Sequence, residues 1–380
     1  MTTFGVGIVG SGNISDVYIL NAPLFRGMKI VAVSDIRPAV AKAKGAKYDL
    51  PALSPRELLK REDIDIVLNL TVPAAHADVS LAAIDAGKHV YTEKPLATSL
   101  KDGRAIVRAA ARKGVTLGAS PDTVLGAGVQ TARKLIDSGE TGAIVTGTAA
   151  VLSHGMENWH PSPTFFFKPG GGPVLDMGPY YLSTLVNLLG PVESVAASGR
   201  SSMKMRTVTA EGPMQGRHIK VEVLTTVNAL LSFASGADIV FMASWDVWRH
   251  SQPPLELHGT NVSLRLPDPN FFGGGIDIAE RGGEWSEIRT AENVFGRPNW
   301  PPDNPAVANY RGLGLAEMAA AIVHRREPRA SGAVALHVLD VMASILASAE
   351  TGRRVRIAST CRRPPALSEE DALALISRKE

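Results

Sequence analysis

A short glycine-containing turn near the N-terminus constrains the fold more than any other feature of this sequence. The β-branched run at residues 4–9 leads directly into Gly10, Ser11 and Gly12, and a helical stretch follows. Glycine at the first of these positions permits a tight turn, and glycine at the second lets the backbone approach a ligand closely. This strand, turn and helix predict the start of a parallel α/β sheet.

The same turn carries a dinucleotide-binding fingerprint. It matches G-x-G-x-x-G, except that the small residue Ser15 takes the third glycine's place. Asp35 ends the next strand, roughly 20 residues on, where a carboxylate accepts hydrogen bonds from the adenosine ribose. A carboxylate there repels a 2′-phosphate and favours NAD over NADP, whereas the guanidinium of Arg37 favours NADP. The residues expected to contact the cofactor in this region are Gly10, Gly12, Asn13, Ile14, Asp35 and Arg37.

The rest of the chain divides into two regions with different sequence patterns. Up to about Gly118, short β-branched runs alternate with alanine-rich helical stretches that end at glycine, which is typical of βαβ units. Later strands are longer, with short connections, and predict a mainly antiparallel sheet. We expect a helix from about Pro179 to Leu189 and a long loop from about Phe271 to Asn309. The sequence predicts a doubly wound Rossmann domain over residues 1–121, and a domain with a large open β-sheet and C-terminal helices over residues 122–380.

Composition excludes several classes of protein. The 40 basic and 37 acidic residues are dispersed, so no nucleic-acid partner is expected. No apolar run approaches the roughly 20 residues of a membrane span, and the N-terminus has no basic flank, so we expect a cytoplasmic protein without a membrane partner. The single cysteine, Cys361, cannot form an internal disulfide, and although nearby arginines favour a lower thiol pKa, we expect a surface thiol without a catalytic role. No spacing of ligands predicts a metal site.

Three further motifs fit one family. They are Thr71-Val72-Pro73 with His76, Glu93-Lys94-Pro95 in the run GKHVYTEKPLA, and the run GGGPVLDMGPYY. With the fingerprint, they make nearly the whole chain resemble the Gfo/Idh/MocA oxidoreductases.

The resemblance implies an NAD(H)-dependent enzyme acting on a sugar or cyclitol hydroxyl. It places Lys94 near the nicotinamide, where its ammonium stabilises the developing alkoxide, and makes the bond to Pro95 cis. It places Thr71, Pro73 and His76 beside the ribose and nicotinamide. Glu93 contacts the ribose or supports its neighbours.

One position departs from the family pattern. The usual motif is D-x-G-x-H, but here Asp176 is followed by Tyr180 in the histidine place. A free phenol has a pKa near 10, so a tyrosine exchanges protons near neutral pH only where a cation assists it. The alternatives are Tyr180 as the acid/base assisted by Lys94, Tyr180 as a hydroxyl-binding group only, or proton transfer by Tyr181, His154 or His160.

A long aromatic loop, which contains His154, Trp159, His160 and Lys168 and ends at Asp176, supplies further candidates. Its residues pair aromatic faces with polar tips, which suits carbohydrate surfaces. Asp122, after the last Rossmann strand, lies near the crossover between the domains. The expected substrate contacts are Lys94, Asp122, His154, Trp159, His160, Lys168, Asp176 and Tyr180.

Three functions remain open from the sequence. The first is a sugar or polyol dehydrogenase, and the second is a glycosidase that transiently oxidises a glycoside on bound NAD. The third is a non-catalytic regulator that binds NAD and sugar, against which the retained Lys94 and Asp176 argue. The strand region at residues 220–234 is apolar on both faces and the helices are too few to cover both, so a homodimer or homotetramer is expected.

Overall fold

The N-terminal region forms a parallel six-stranded sheet in the order β3-β2-β1-β4-β5-β6. The computed structural model describes residues 2–377. Every pairing in this sheet is parallel, and the central strands are buried. The strands are β1 (Phe4–Val9), β2 (Met28–Ser34), β3 (Ala52–Leu53), β4 (Ile66–Asn69), β5 (His89–Thr92) and β6 (Leu117–Ala119). The predicted Rossmann sheet is confirmed.

Five helices connect these strands, and their ends follow local chemistry. Helix α5 begins after Ser99, whose hydroxyl accepts from the Asp102 N–H, and it ends at Gly114 with φ of 67°. Gly87, with φ of 76°, closes the turn after α4. Both glycines adopt the left-handed conformation expected where a helix ends. The helices are α1 (Ile14–Asn21), α2 (Pro38–Tyr48), α3 (Pro55–Lys60), α4 (His76–Asp85) and α5 (Leu100–Lys113).

The second region is built on a nine-stranded sheet in the order β16-β15-β14-β13-β7-β12-β11-β8-β17. All of its pairings are antiparallel except that of β7 with β12, so the prediction of a mainly antiparallel sheet is confirmed. Its strands are β7 (Ile144–Leu152), β8 (Val192–Arg200), β11 (Thr226–Phe233), β12 (Asp238–Ser244), β13 (Leu255–Gly259), β14 (Val262–Leu266), β15 (Ile276–Glu280), β16 (Ser286–Ile288) and β17 (Val355–Arg356). A separate hairpin pairs β9 (Met205–Thr207) with β10 (His218–Lys220).

Helices cover one face of this large sheet. The helices α6 (Ala127–Asp137), α7 (Pro173–Leu189) and α9 (Gly332–Thr351) all pack against it. On β11, Val227 and Leu231 are buried under these helices, whereas Asn228 and Leu230 on the other face are exposed or half-buried. The strand is therefore less uniformly apolar than its sequence suggested, and its second face is open in the single chain.

Two expectations about element boundaries were wrong. Helix α7 begins at Pro173 rather than near Pro179, because Pro173 occupies the first helical turn, where a missing N–H costs nothing. Pro179 therefore lies inside the helix. The expected long loop from Phe271 to Asn309 contains β15 and β16, which extend the edge of the sheet.

The C-terminal part of the chain returns to the first sheet. Helices α8 (Leu313–Val323) and α9 confirm the C-terminal helices that the sequence predicted. Helix α8 packs against β6, and a shorter helix, α10 (Glu369–Leu375), packs on α8. Both α8 and α10 lie beyond the expected boundary at residue 121, yet they belong to the core of the N-terminal sheet. Of the described helices, only α9 is long and apolar enough to cross a membrane, and 61% of its apolar window is buried within the fold.

Candidate active site

Gly10 and Gly12 of the first turn are glycine for different structural reasons. Gly10 has φ of 100°, and a Cβ there would lie 2.6 Å from the Leu70 carbonyl carbon, so the fold itself requires glycine. A Cβ at Gly12 would have no described protein atom within 4 Å, so packing does not require glycine there. A backbone left bare at the start of α1 suits close approach of a pyrophosphate. Ser15 is fully buried and donates to the Gly12 carbonyl over 2.7 Å, as expected of a small third-position residue.

Asp35 is tied to the same turn. Its carboxylate accepts hydrogen bonds from the backbone N–H groups of Ser11, at 3.1 Å, and Arg37, at 2.9 Å. The Arg37 side chain is 71% exposed, and its Nε lies 3.4 Å from the same carboxylate. A carboxylate and an exposed guanidinium therefore lie together at the end of β2, as the sequence predicted.

Exposed apolar side chains mark the same edge of the N-terminal sheet. Ile36 is 88% exposed and Val72 is 68% exposed, and they lie in the turns that follow β2 and β4. The carboxyl ends of parallel strands form the ligand-binding edge of such sheets, and apolar surface there suits the flat rings of a dinucleotide. The glycine turn, Asp35 and these two side chains together fit NAD. When bound, that cofactor would supply hydride acceptance and donation at its nicotinamide ring.

His76 connects two turns at this edge. Its buried ring lies between the Pro95 carbonyl, 2.7 Å from Nδ1, and the Thr71 carbonyl, 3.0 Å from Nε2. Pro73 begins a short 3₁₀ turn just before it. His76 thus links the turn that holds Thr71 and Pro73 to Pro95, whose bond to Lys94 is cis.

Glu93 forms hydrogen bonds with Tyr18 and with the backbone of Lys94. Its carboxylate accepts from the Lys94 backbone N–H over 2.9 Å and from the Tyr18 hydroxyl over 2.8 Å. Burial and the charge of Glu93 raise the pKa of Tyr18 well above its ordinary value, so that hydroxyl stays protonated and donates. Glu93 thereby fixes the backbone from which the Lys94 side chain extends.

Lys94, Asp176 and Tyr180 meet where the two regions join. The Lys94 ammonium donates to the Asp176 carbonyl at 2.6 Å and to its carboxylate at 3.0 Å, and it lies 5.0 Å from the centre of the Tyr180 ring. Burial alone lowers the pKa of an amine, but Tyr180 and Asp176 outweigh it and raise the pKa of Lys94. The lysine is therefore charged at neutral pH. Because Asp176 and Tyr180 are four residues apart in α7, they share one face of the helix.

Sequence reasoning missed a second cation at this point. Arg311 precedes α8, and although burial opposes the rise, the nearby Tyr180, Glu93 and Asp122 raise the pKa of its guanidinium. It also donates to the side chains of Asn309 and Asn270, each at 3.1 Å. Only the contact across the fold identifies Arg311, because no motif surrounds it.

Asp122 lies deeper than expected for a substrate contact. It is buried, and its carboxylate accepts from the backbone N–H groups of Gly312 and Gly314 at 2.9 and 3.1 Å. These groups begin α8, so Asp122 caps that helix from outside it. Burial raises its pKa to about 6, although the two N–H groups and Arg311 oppose the rise.

The aromatic loop forms a cluster of its own. The His154 ring stacks on Trp248, and His160 packs edge-on against Trp159 and accepts from the Ser162 N–H at 3.1 Å. Lys168 pairs with Glu222 at 2.9 Å, and Trp159 is 62% exposed. Within the described part of the chain, these side chains have partners other than Lys94, Asp176 or Tyr180.

Tyr181 and Cys361 are held away from this chemistry. Burial and the neighbouring Asp268 raise the pKa of Tyr181. Burial likewise raises the pKa of Cys361 to about 12, so its arginine neighbours do not lower it. No cluster of three or more His, Cys, Asp or Glu side chains suited to a metal occurs among residues 2–377.

Known proteins share this organisation. Residues 4–120 match the oxidoreductase family with an NAD-binding Rossmann fold, and residues 129–265 match the GFO/IDH/MocA C-terminal domain. The 1,5-anhydro-D-fructose reductase of Ensifer adhaerens is 27% identical, over 92% of this chain and 98% of its own.

Solved structures show the same fold. An oxidoreductase domain protein from Kribbella flavida superposes with a TM-score of 0.80 at 22% identity, covering 94% of this chain and 100% of its own. Levoglucosan dehydrogenase, in complex with NADH and levoglucosan, superposes with a TM-score of 0.79 at 21% identity, covering 94% and 99%. The chain therefore belongs to the Gfo/Idh/MocA family and is an oxidoreductase with an NAD-binding Rossmann domain.

Proposed function

We propose that this protein transfers a hydride between NAD(H) and a hydroxyl or keto carbon of a sugar, sugar derivative or cyclitol. The observation that carries the proposal is the charged Lys94, held by Asp176 and the Tyr180 ring at the ligand-binding edge of the Rossmann sheet. A regulator that only binds ligands has no need of a fixed ammonium where an alkoxide develops. The related reductase and dehydrogenase are both named for sugar substrates.

Each side chain of this cluster has a separate role. Lys94 donates a hydrogen bond to the reacting oxygen and stabilises its negative charge. Asp176 holds the ammonium in place and accepts a hydrogen bond from a sugar hydroxyl. Tyr180 exchanges the proton of the reacting hydroxyl through its phenolic oxygen. When bound, NAD takes the hydride from the carbinol carbon or NADH returns it to the carbonyl.

The preferred cofactor in this proposal is NAD rather than NADP. Asp35 is fixed by two backbone hydrogen bonds at the end of β2, so its negative charge cannot move away from a 2′-phosphate. Arg37 is mostly exposed and pairs with that carboxylate. A fixed acid and a paired, solvated guanidinium favour the free ribose hydroxyls of NAD.

The chain is proposed to work in the cytoplasm as a homodimer or homotetramer. The open face of the nine-stranded sheet carries Leu230, Val240 and Met242 among small polar residues, and no described helix covers it. Apolar surface on a regular sheet face is typical of contacts between subunits.

A substrate screen tests the proposal. The purified protein is incubated with monosaccharides, anhydrosugars, cyclitols and glycosides in the presence of NAD or NADP, and the nicotinamide absorbance is followed. We expect NADH and an oxidised product in equal amounts from at least one uncharged sugar. Cleavage of a glycoside without net NADH would instead indicate transient oxidation. Tight NAD binding without turnover across the screen would contradict the proposal.

A further inference from the structure

A lysine of the neighbouring helix contacts the glycine turn at the start of α1. Lys44 lies in α2, and its ammonium donates to the Asp16 carboxylate at 2.5 Å and to the Gly12 carbonyl at 3.4 Å. The Lys44 side chain is only 11% exposed, so its charge lies between the two helices rather than in solvent. Lys44 therefore joins α2 to the turn at which the pyrophosphate of a dinucleotide binds in Rossmann domains.

The Gly12 carbonyl is fixed by three donors. Besides the Lys44 ammonium, it accepts from the Ser15 hydroxyl at 2.7 Å and from the Ser15 backbone N–H at 3.2 Å. Because the peptide is planar and trans, the Asn13 N–H that shares this peptide points the opposite way. These donors thus fix the direction of an N–H group at the start of a helix, where such groups bind anions.

Asp16 places a negative charge in the first turn of α1, next to this anion site. Burial alone would raise the pKa of Asp16, but the hydrogen bond and the charge of Lys44, with Tyr48 and Lys47, outweigh burial and lower it. An ionised, unpaired carboxylate there would repel a pyrophosphate, which is itself anionic. Lys47 also lies 3.4 Å from Asp16, but it is 58% exposed, so Lys44 is the partner whose charge solvent screens less.

We propose that Lys44 is a positioning residue for the cofactor, whose ammonium neutralises Asp16 and fixes the Gly12 peptide so that a pyrophosphate binds at the turn. The inference goes beyond the proposed sugar chemistry and requires only that a dinucleotide binds to the matched NAD-binding domain. Lys44 lies on α2, outside the glycine fingerprint and nine residues beyond Asp35, so neither motif identifies it.

Binding measurements without any sugar test this inference. Lys44→Met keeps an unbranched apolar stem and removes the charge. We expect the dissociation constant of NADH, measured by fluorescence titration, to rise about three- to tenfold. In displacement of bound NADH, ADP should weaken by a similar factor, whereas adenosine, which lacks the phosphates, should bind as it does to the wild type. Lys44→Arg should keep most of the affinity for NADH.

A second substitution separates the loss of charge from damage to the fold. Asp16→Asn removes the carboxylate that Lys44 neutralises. The double variant, Lys44→Met with Asp16→Asn, should therefore bind NADH within about twofold of the wild type. Asp16→Asn alone should bind NADH at least as tightly as the wild type, because it removes a negative charge beside the pyrophosphate.

A matched control and a reserve variant complete the experiment. Lys42→Met removes an exposed lysine of the same helix and should leave the dissociation constant of NADH unchanged. If Lys44→Met does not fold, Lys44→Gln takes its place in every comparison. An unchanged affinity for NADH in the Lys44 variant, an equal weakening of ADP and adenosine, or no recovery in the double variant would overturn the role of Lys44.

Discussion

The Lys94 ammonium and the Asp176 carboxylate form an ion pair 3.0 Å long that joins the two regions of the molecule. Lys94 follows β5 of the Rossmann sheet, whereas Asp176 lies in the first turn of α7 beneath the second sheet. The site is therefore complete only when the two regions are packed together. A change in their packing would separate the ammonium from its carboxylate.

Removal of the Lys94 ammonium should abolish most turnover without loss of cofactor binding. In Lys94→Ala, the alkoxide loses its main stabilising charge, so we expect kcat to fall about a hundredfold or more. The NADH dissociation constant should stay within a few-fold of the wild type, as measured by fluorescence titration. Lys113→Ala removes an exposed lysine that pairs with Asp85 and serves as the control. Near-normal kcat in Lys94→Ala would remove Lys94 from the mechanism.

The carboxylate at the end of β2 should set the cofactor preference. We expect the wild type to bind NAD(H) more tightly than NADP(H). Asp35→Ser should narrow the difference in affinity between NAD(H) and NADP(H). The substitution removes the charge that repels a 2′-phosphate and frees Arg37 to pair with that phosphate. Titration of both proteins with both reduced cofactors measures the effect. Equal or tighter binding of NADPH by the wild type would show that Arg37 outweighs Asp35.

The elements that follow local periodicity could be predicted from the sequence, and those fixed by distant contacts could not. The glycine turn, Asp35 and Lys94 lie directly after strands, so their place at one sheet edge follows from the parallel pairing. The sequence prediction placed the start of α7 too late, because Gly170 to Gly172 are typical of a loop and lie directly before Pro173, where the helix begins.

The position of Arg311 could not be predicted from the sequence, because it depends on Asn21 and Asn270, which are remote from it in the chain. Asp122 was expected to face the substrate, whereas it caps α8. The sequence does not distinguish an aspartate that caps a helix from one that binds a ligand. Only the fold shows which of the two Asp122 is.

The open face of the large sheet should be the subunit interface. Light scattering at micromolar concentration should report a dimer or tetramer for the wild type. Leu230→Asp places a charge on that face and should give monomers that retain the circular dichroism of the fold. Leu373→Asp, on an exposed position of α10, is the matched control and should not change the mass. A monomeric wild type would contradict the interface.

A buried histidine should make the stability depend on pH. His337 accepts from the Val192 N–H at 3.0 Å, and burial holds its pKa below the ordinary 6.5. The folded state therefore binds fewer protons than the unfolded state, so this contribution is present above pH 6.5 and lost as the pH falls below it.

The variant His337→Gln replaces the imidazole by a side chain that does not titrate. His337→Gln should be about 1–3 kcal/mol less stable than the wild type at pH 8, and the difference should shrink toward pH 5. Urea unfolding at both pH values measures it. A difference that is constant with pH would show that His337 does not couple folding to protonation.

The most direct test of the account is the kcat of Tyr180→Phe, compared with the wild type and with Tyr180→His, on the sugar found in the screen. If Tyr180 carries the proton, Tyr180→Phe should lose at least about a hundredfold in kcat while KM changes little. Tyr180→His should recover part of that loss, because it restores the histidine of the usual motif, whose imidazole can exchange a proton near neutral pH. A Tyr180→Phe variant with wild-type kcat, alongside an inactive His154→Ala or His160→Ala, would contradict the account and move proton transfer to the aromatic loop.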